Sequence, residues 1–566
     1  MGRFENHVLQ DFNGLNEDEN PNALERLDLV RARNIWKRGK ATGTRPGTER
    51  DDVYSADIAG TPAIQGIFEF RKNADADRQI IVVAGGEIKS NHTTNETGAV
   101  TVTAGAANRW TFATHKGSVY SAGGTATDDL WKWDGAAATA SVVGPLVESD
   151  GATLVYPTFI IEKWNRLFTC QFRDAAGTGF STDKAASLMT VRYSALNDGD
   201  TWPEGNSFGG DSAIGGFSSF GNEFLNGFGS FTDNEGDWLL VLGNRRLYAV
   251  DPTGDPFAPF RISRRGAIAN GCVSQHAFVS LGLDSGDAIY LSDQGIHSLR
   301  QSQEFGARQD KFLSWKIRKT FRTVNQSALS RATGAYWKEE GVVLFAFPTG
   351  SNTVNDTILA LDVKNKRELT AENADWYIWQ RGSATPAVAA CNVLVPVRDA
   401  SENWFVYGGN EAGQVFRFTD STHTDLDAGV AQTAGYEIAM QTKHDDLGES
   451  TIRKGSGDVF WALQPGGSYG PAAQIVYDYG RRQSSISTLK MPKSGATFGP
   501  TGNGVFGVSK WSISELTFRD KMYGEGSGDT LGFLMTHAGE NQPVYVAQIA
   551  SQVRTFGELS GEDTGA

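Results

Sequence analysis

The sequence predicts an all-β protein: an irregular β-propeller over residues 61–425, a second β-rich, sandwich-like C-terminal domain over 426–566, and an N-terminal arm over 1–60. Three observations predict it. Short β-branched and aromatic runs ending at Gly, Asn or Asp recur along the chain, which is the pattern of strands and turns. Long helical periodicity is nearly absent. Strands returning from turns share a loose pattern of turn residue, one or two others, an aliphatic and an aromatic, at 117–120, 165–168, 244–248 and 413–416. A blade of four strands covers its apolar faces only against neighbouring blades, so a repeat of roughly 40–50 residues is what a propeller requires. The anchors start 48, 79 and 169 residues apart, so the period is irregular, and a sandwich or mixed β architecture is the alternative.

Along the chain, residues 1–60 hold a short amphipathic stretch, Leu24, Leu27, Val30 and Ile35, then a basic, glycine-rich tail. In the body, Trp238-Leu239-Leu240-Val241-Leu242 meets the turn Gly243-Asn244 and Leu247-Tyr248-Ala249-Val250 returns, forming a hairpin. Ala288-Ile289-Tyr290-Leu291 with 296–299 is a second hairpin, and Phe405-Val406-Tyr407 with Val415-Phe416 a third. Val342-Val343-Leu344-Phe345 and Ile358-Leu359-Ala360-Leu361 repeat the theme. At 311–323, Leu313, Ile317 and Phe321 fall four apart with basic residues between them, which predicts a helix linking two blades. Beyond about residue 425 the anchors stop, and Gly/Ser-rich turns separate strands such as Ile475-Val476-Tyr477.

The 566 residues are 39% hydrophobic and 11% aromatic, with 66 glycines, which is too apolar for disorder and too aperiodic in glycine for collagen. Fifty-two Lys and Arg against 66 Asp and Glu give −14. That excludes a chain-wide nucleic-acid clamp, which needs cations to displace counterions. Cys170, Cys272 and Cys391, about a hundred residues apart, match neither a disulfide framework nor a zinc ribbon and are expected as buried thiols. The first 20 residues lack the apolar run of a signal peptide, and the longest apolar stretches fall far short of the roughly 20 residues that span a bilayer. The expectation is a soluble chain without a membrane anchor.

Candidate chemistry is sparse. The eight histidines are scattered, none with the i, i+4 spacing of a helical metal site, so no metal or cofactor is assigned. Asp198-Gly199-Asp200 and the 251–255 stretch read as turn chemistry, since neither supplies the ligand alternation of a calcium loop. Gly466-Gly467-Ser468-Tyr469-Gly470 has the nucleophile-elbow spacing, but prolines bound it where a strand and a helix are required. Ser194–Trp202 resembles the Asp-box of sialidase-type propellers, with Asn197 where the Asp and Ala195 where the Ser would stand. It supports a propeller hairpin more than a glycosidase, and no catalytic residue is assigned. The remaining candidate is a basic strip of eight Lys and Arg between Arg26 and Arg50. Arg31, Arg33, Trp36, Lys37 and Arg38 are its expected partner-binding residues, for an acidic protein surface or a phosphate backbone. The alternative is a solvated strip balancing the acidic 17–19 segment.

The order of features resembles a known family. Phe12-Asn13-Gly14-Leu15-Asn16 leads to Ala32-Arg33-Asn34-Ile35-Trp36 and then Gly43-Thr44-Arg45-Pro46-Gly47. This is similar to the opening of the tail nozzle and tail-stabilisation (head-to-tail joining) β-propeller proteins of short-tailed bacteriophages. Leu130-Trp131-Lys132-Trp133-Asp134-Gly135, Asn165-Arg166-Leu167-Phe168, Arg192-Tyr193-Ser194, Leu291-Ser292-Asp293-Gln294-Gly295-Ile296 and Leu313-Ser314-Trp315-Lys316-Ile317 follow in order, so the resemblance spans most of residues 10–420. It implies a structural, non-enzymatic virion tail protein assembled in the host cytoplasm. Six copies form a ring below the portal and adaptor, next to tail fibres or spikes. The ring holds packaged genomic DNA and passes it on ejection without sequence-specific binding. Six copies at −14 each carry −84, an acidic wall past which a polyanion slides without sticking. The alternative function is a carbohydrate-binding or sialidase-like propeller of a tail fibre or spike.

Overall fold

The computed structural model describes residues 4–556 apart from short stretches and three longer ones, 175–188, 210–222 and 491–517. Six self-contained antiparallel blades stand around an axis: 64–95, 110–142, 146–209, 225–268, 278–312, and 393–419 closed by 47–49. Between the fifth and sixth, the ring position is filled by the first four strands of a longer sheet, Thr333–Trp337, Val342–Phe347, Thr357–Asp362 and Asp375–Trp379. The inner strands pack in succession from Ile64–Arg71 and Trp110–His115 round to Val393–Arg398, which returns to Ile64–Arg71. The chain is therefore a β-propeller, as its sequence predicts.

The core is a series of clusters between neighbouring blades, because each sheet has two apolar faces to cover. Phe70, Ile81, Val83, Trp110 and Trp131 fill the gap between the first and second blades, and Phe168, Tyr193, Val241 and Phe260 that between the third and fourth. Blades approach closely where glycine allows it. A Cβ on Gly66 would lie 2.8 Å from the ring of Phe112 on the next blade, and one on Gly409 would lie 2.5 Å from Ile64. Side chains also tie inner strands together: Thr111 Oγ1 accepts from Ile160 N at 3.0 Å, and Asn392 Nδ2 donates to Ile64 O at 3.2 Å.

The expected hairpins form, with Leu242 opposite Leu247, Leu291 opposite Ile296 and Gly409 opposite Val415. The irregular anchor spacing has a structural cause. The anchors at 117–120 and 165–168 follow the turn after the inner strand, whereas those at 244–248 and 413–416 sit one hairpin further out. They are equivalent in local chemistry but not in blade position. The helix expected over 311–323 is shorter. Arg308–Phe312 is the outer strand of the fifth blade, and only Ser314–Ile317 (3-10) and Arg318–Phe321 (α) are helical. The apolar face was legible nonetheless, since Leu313, Ile317 and Phe321 are all buried.

Residues 1–60 are not an arm. Phe4–Gln10, Ile35–Arg38 and Ala41–Thr44 belong to a seven-stranded sheet with Val544–Phe556, Arg453–Pro465 and Phe518–Met522. Leu29–Arg33 runs between Asp375–Trp379 and Ile438–Thr442, which makes the propeller's long sheet continuous with the C-terminal strands for ten strands in all. Gly47–Glu49 supplies the outermost strand of the sixth blade. The sheets face each other as a sandwich, with Trp461 of one meeting Phe533 of the other edge-on at 6.3 Å. The boundaries at 60 and 425 thus cut through shared sheets. The partners of these short strands lie hundreds of residues away, where no local pattern reveals them.

Candidate functional site

The N-terminal basic strip lies on two short strands at the seam between propeller and sandwich. Along Leu29–Arg33 and Ile35–Arg38, Leu29, Ala32, Ile35 and Trp36 lie in the core and Arg31, Arg33, Lys37 and Arg38 are partly exposed. Trp36 is not a surface contact. It is 2% exposed and meets the rings of Tyr377 and Trp379 edge-on at 5.2 and 5.7 Å. Ile35 and Trp36 are adjacent, so they point to opposite faces of the strand, and the fold covers both.

The four cations face acids of the same chain. Arg31 and Arg33 approach Glu437 at 3.6 and 3.8 Å, and Arg33 also donates to Gln380. Arg38 pairs with Asp420 and lies over the ring of Tyr545 at 5.5 Å. Lys37 bears on Asp362, whose carboxyl is raised chiefly by burial. Burial and Asp420 likewise raise Glu340, while Arg38 opposes the shift. The strip is therefore a mixed-charge surface.

The neighbouring Arg45, Asn34 and Asp425 form a buried network: the sequence motifs contain Asn34 and Arg45, but nothing in the sequence joined them to each other or to Asp425. Arg45 and Asp425 are fully buried and ion-paired. Arg45 also donates to Asn34 Oδ1 at 3.1 Å, Pro46 O at 2.7 Å and Gln380 O at 3.0 Å, and it stacks 3.8 Å from the Tyr436 ring. Asp425 additionally accepts from Thr48 Oγ1 at 3.1 Å and Gly382 N at 2.8 Å. Burial works against the Arg45 charge, and Asp425 together with Tyr436 more than offsets it, so the guanidinium stays charged. The network locks the closing strand Gly47–Glu49 to the last blade. The available signal was Arg45 itself, a cation inside the otherwise uncharged run 41–48.

The Asp-box-like segment and the cysteines resolve as structural. The Ser194–Trp202 segment forms its turn without an Asp-box: Leu167 N donates to Ser194 Oγ and Trp202 Nε1 to Gly199 O, both at 3.0 Å. Donors from Thr201 and the Asp200 backbone hold the Asp198 carboxyl below its ordinary range. Gly466–Tyr469 of the serine motif lies outside the described residues. The three cysteines are buried and unpaired. Among the described residues no group of three His, Cys, Asp or Glu is arranged to hold a metal, and no helix is long and apolar enough to cross a membrane. A cleft of about 560 Å³ beside the fifth blade is lined by Glu25, Asp28, Trp315, Lys316 and Glu372, among others. Trp315 is 42% exposed, with Arg318 stacked on it at 3.7 Å.

No family model matches the chain, and no curated protein does. Among solved structures, the chain is similar to YCF48 from Cyanidioschyzon merolae (10% identity, TM-score 0.34, 65% of this chain and 98% of that one). It is also similar to the allergen Mala s 1 of Malassezia sympodialis (9%, TM-score 0.33, 55% and 92%) and to an exo-beta-1,3-galactanase from Phanerochaete chrysosporium (9%, TM-score 0.23, 78% and 95%). Likenesses this remote carry no functional weight, and the propeller is established by its own sheets.

Proposed function

We propose that this chain is a structural subunit of a short bacteriophage tail, a ring-forming nozzle or hub through which packaged DNA is retained and then released. The observation that carries this reading is where its N-terminal motifs fall. Phe12–Asn16, Ala32–Trp36 and Gly43–Gly47 all lie at one seam. Leu15 N donates to Trp376 O at 2.8 Å, Asn34 Nδ2 to Glu437 O at 2.8 Å, and Arg45 binds Asp425. These contacts join propeller and sandwich through one continuous sheet, and a stiff joint suits a ring wall that must hold pressurised DNA. Rings arise naturally from heterologous contacts whose rotation closes. The bore belongs to the ring, because side chains cross the propeller's own axis: Arg109 Nη1 donates to Arg331 O at 2.9 Å.

A second reading, a carbohydrate-binding propeller of a fibre or spike, is favoured by the Trp315 cleft, where an exposed indole lies among carboxylates. Native mass and class averages of the purified chain separate the two. Six-fold rings support the nozzle, while a monomer or trimer that retains host polysaccharide sinks it.

A further inference from the structure

Three residues just before inner strands converge on the propeller axis from separate ring positions. Arg109 precedes Trp110–His115, His276 precedes Phe278–Ser280, and Arg331 precedes Thr333–Trp337. Arg331 is provided for: it pairs with Glu411 and donates to Thr353 O at 2.5 Å, Ala106 O at 3.2 Å and Asn392 Oδ1 at 3.2 Å. Arg109 is not. Among the described residues its one hydrogen bond is from Nη1 to Arg331 O, and its Nε and Nη2 are buried without a partner there, as is Nε2 of His276. Among the described residues, the groups that act on the Arg109 charge are Arg331, which opposes it, and more weakly Cys391, which favours it; neither is a carboxylate. Burial and that like charge push its pKa down to about 9, and burial and Arg109 hold the His276 imidazole well below its usual range.

A buried guanidinium without a counter-charge costs several kcal/mol. The two free atoms, Nε and Nη2, form one side of the guanidinium, and such a fork matches two oxygens of a carboxylate, sulfate or phosphate. We propose that the axial end of the propeller binds a small oxyanion in the Arg109 Nε/Nη2 fork, with His276 Nε2 as a third donor. The anion neutralises the axial cluster and ties the second blade to the fifth and to the long sheet. This site is independent of the tail assignment and of the basic strip.

The test is thermal unfolding of the full chain at constant ionic strength, with chloride replaced stepwise by phosphate, sulfate or acetate. The expected result is a saturable rise in melting temperature with at least one oxyanion, abolished in Arg109→Gln and shifted to at least tenfold higher concentration in His276→Gln. The preferred anion distinguishes tetrahedral from planar ligands. In chloride alone, Arg109→Gln is expected to be no less stable than the native chain, since it removes an unpaired buried charge. Equal responses in native and Arg109→Gln protein, or no response to any oxyanion, would overturn the site. Should Arg109→Gln fail to fold, maps of the native protein in phosphate, sulfate and acetate decide: oxyanion density in the fork in any of them supports the site, and water alone in all three refutes it.

Discussion

Replacing Asp425 by asparagine isolates the buried ion pair that closes the ring. Asparagine keeps an oxygen for only one of the two donors, Thr48 Oγ1 on Oδ1 or Gly382 N on Oδ2, and removes the one carboxylate that, among the described residues, is bonded to Arg45, which is 0% exposed. Its guanidinium is left with Asn34 Oδ1, two backbone carbonyls and the Tyr436 ring. Removing one partner of a buried pair costs about 3–5 kcal/mol. At about 1.4 kcal/mol per tenfold, amides in the paired strands 47–49 and 415–419 should exchange roughly a hundred- to several-thousand-fold faster, because this opening is local. Arg45→Met combined with Asp425→Asn removes the stranded charge and should recover most of the loss. Acceleration below about fivefold in Asp425→Asn, or a double variant no better than the single one, would refute the role of the pair.

Gly66→Val should cost about 1–3 kcal/mol in chemical denaturation by driving a side chain against Phe112 across the blade gap; a neutral effect would show that the blades can part there. Stability should fall as pH drops from about 6.5 to about 4. Burial lowers His444 to about 4, so the unfolded chain binds its proton first, and the loss approaches about 3 kcal/mol. Melting at pH 7 and 4.5 checks this, and His444→Gln should flatten the slope; His7, also lowered to about 4 by burial, adds a loss of the same sign. Arg31→Glu should change monomer stability by under about 1 kcal/mol, since the Arg31 and Glu437 side chains are 41% and 48% exposed. Charge reversal at Arg31, Arg33, Lys37 and Arg38 that leaves tail particles stable and full of DNA would remove the strip from any assembly role.

Local chemistry determined much of this protein. β-branched runs punctuated by Gly and Asn specify hairpins such as 236–252, and the spacing of Leu313, Ile317 and Phe321 specifies a buried face, because both depend on residues a few positions apart. The cysteine spacing was enough to expect buried thiols. Pairings at long range were decided only by the tertiary structure. Thr48 meets Phe418, Arg33 meets Ile378, and Arg45 finds Asp425, each across more than 340 residues. Strands of three to five residues carry no label for such partners. Hence the apparent arm became the clasp of the ring, Trp36 became core, and a strip that looked like surplus positive charge was matched by Glu437 and Asp420. The charge of one segment is read from its own residues, but its field depends on what the fold lays beside it.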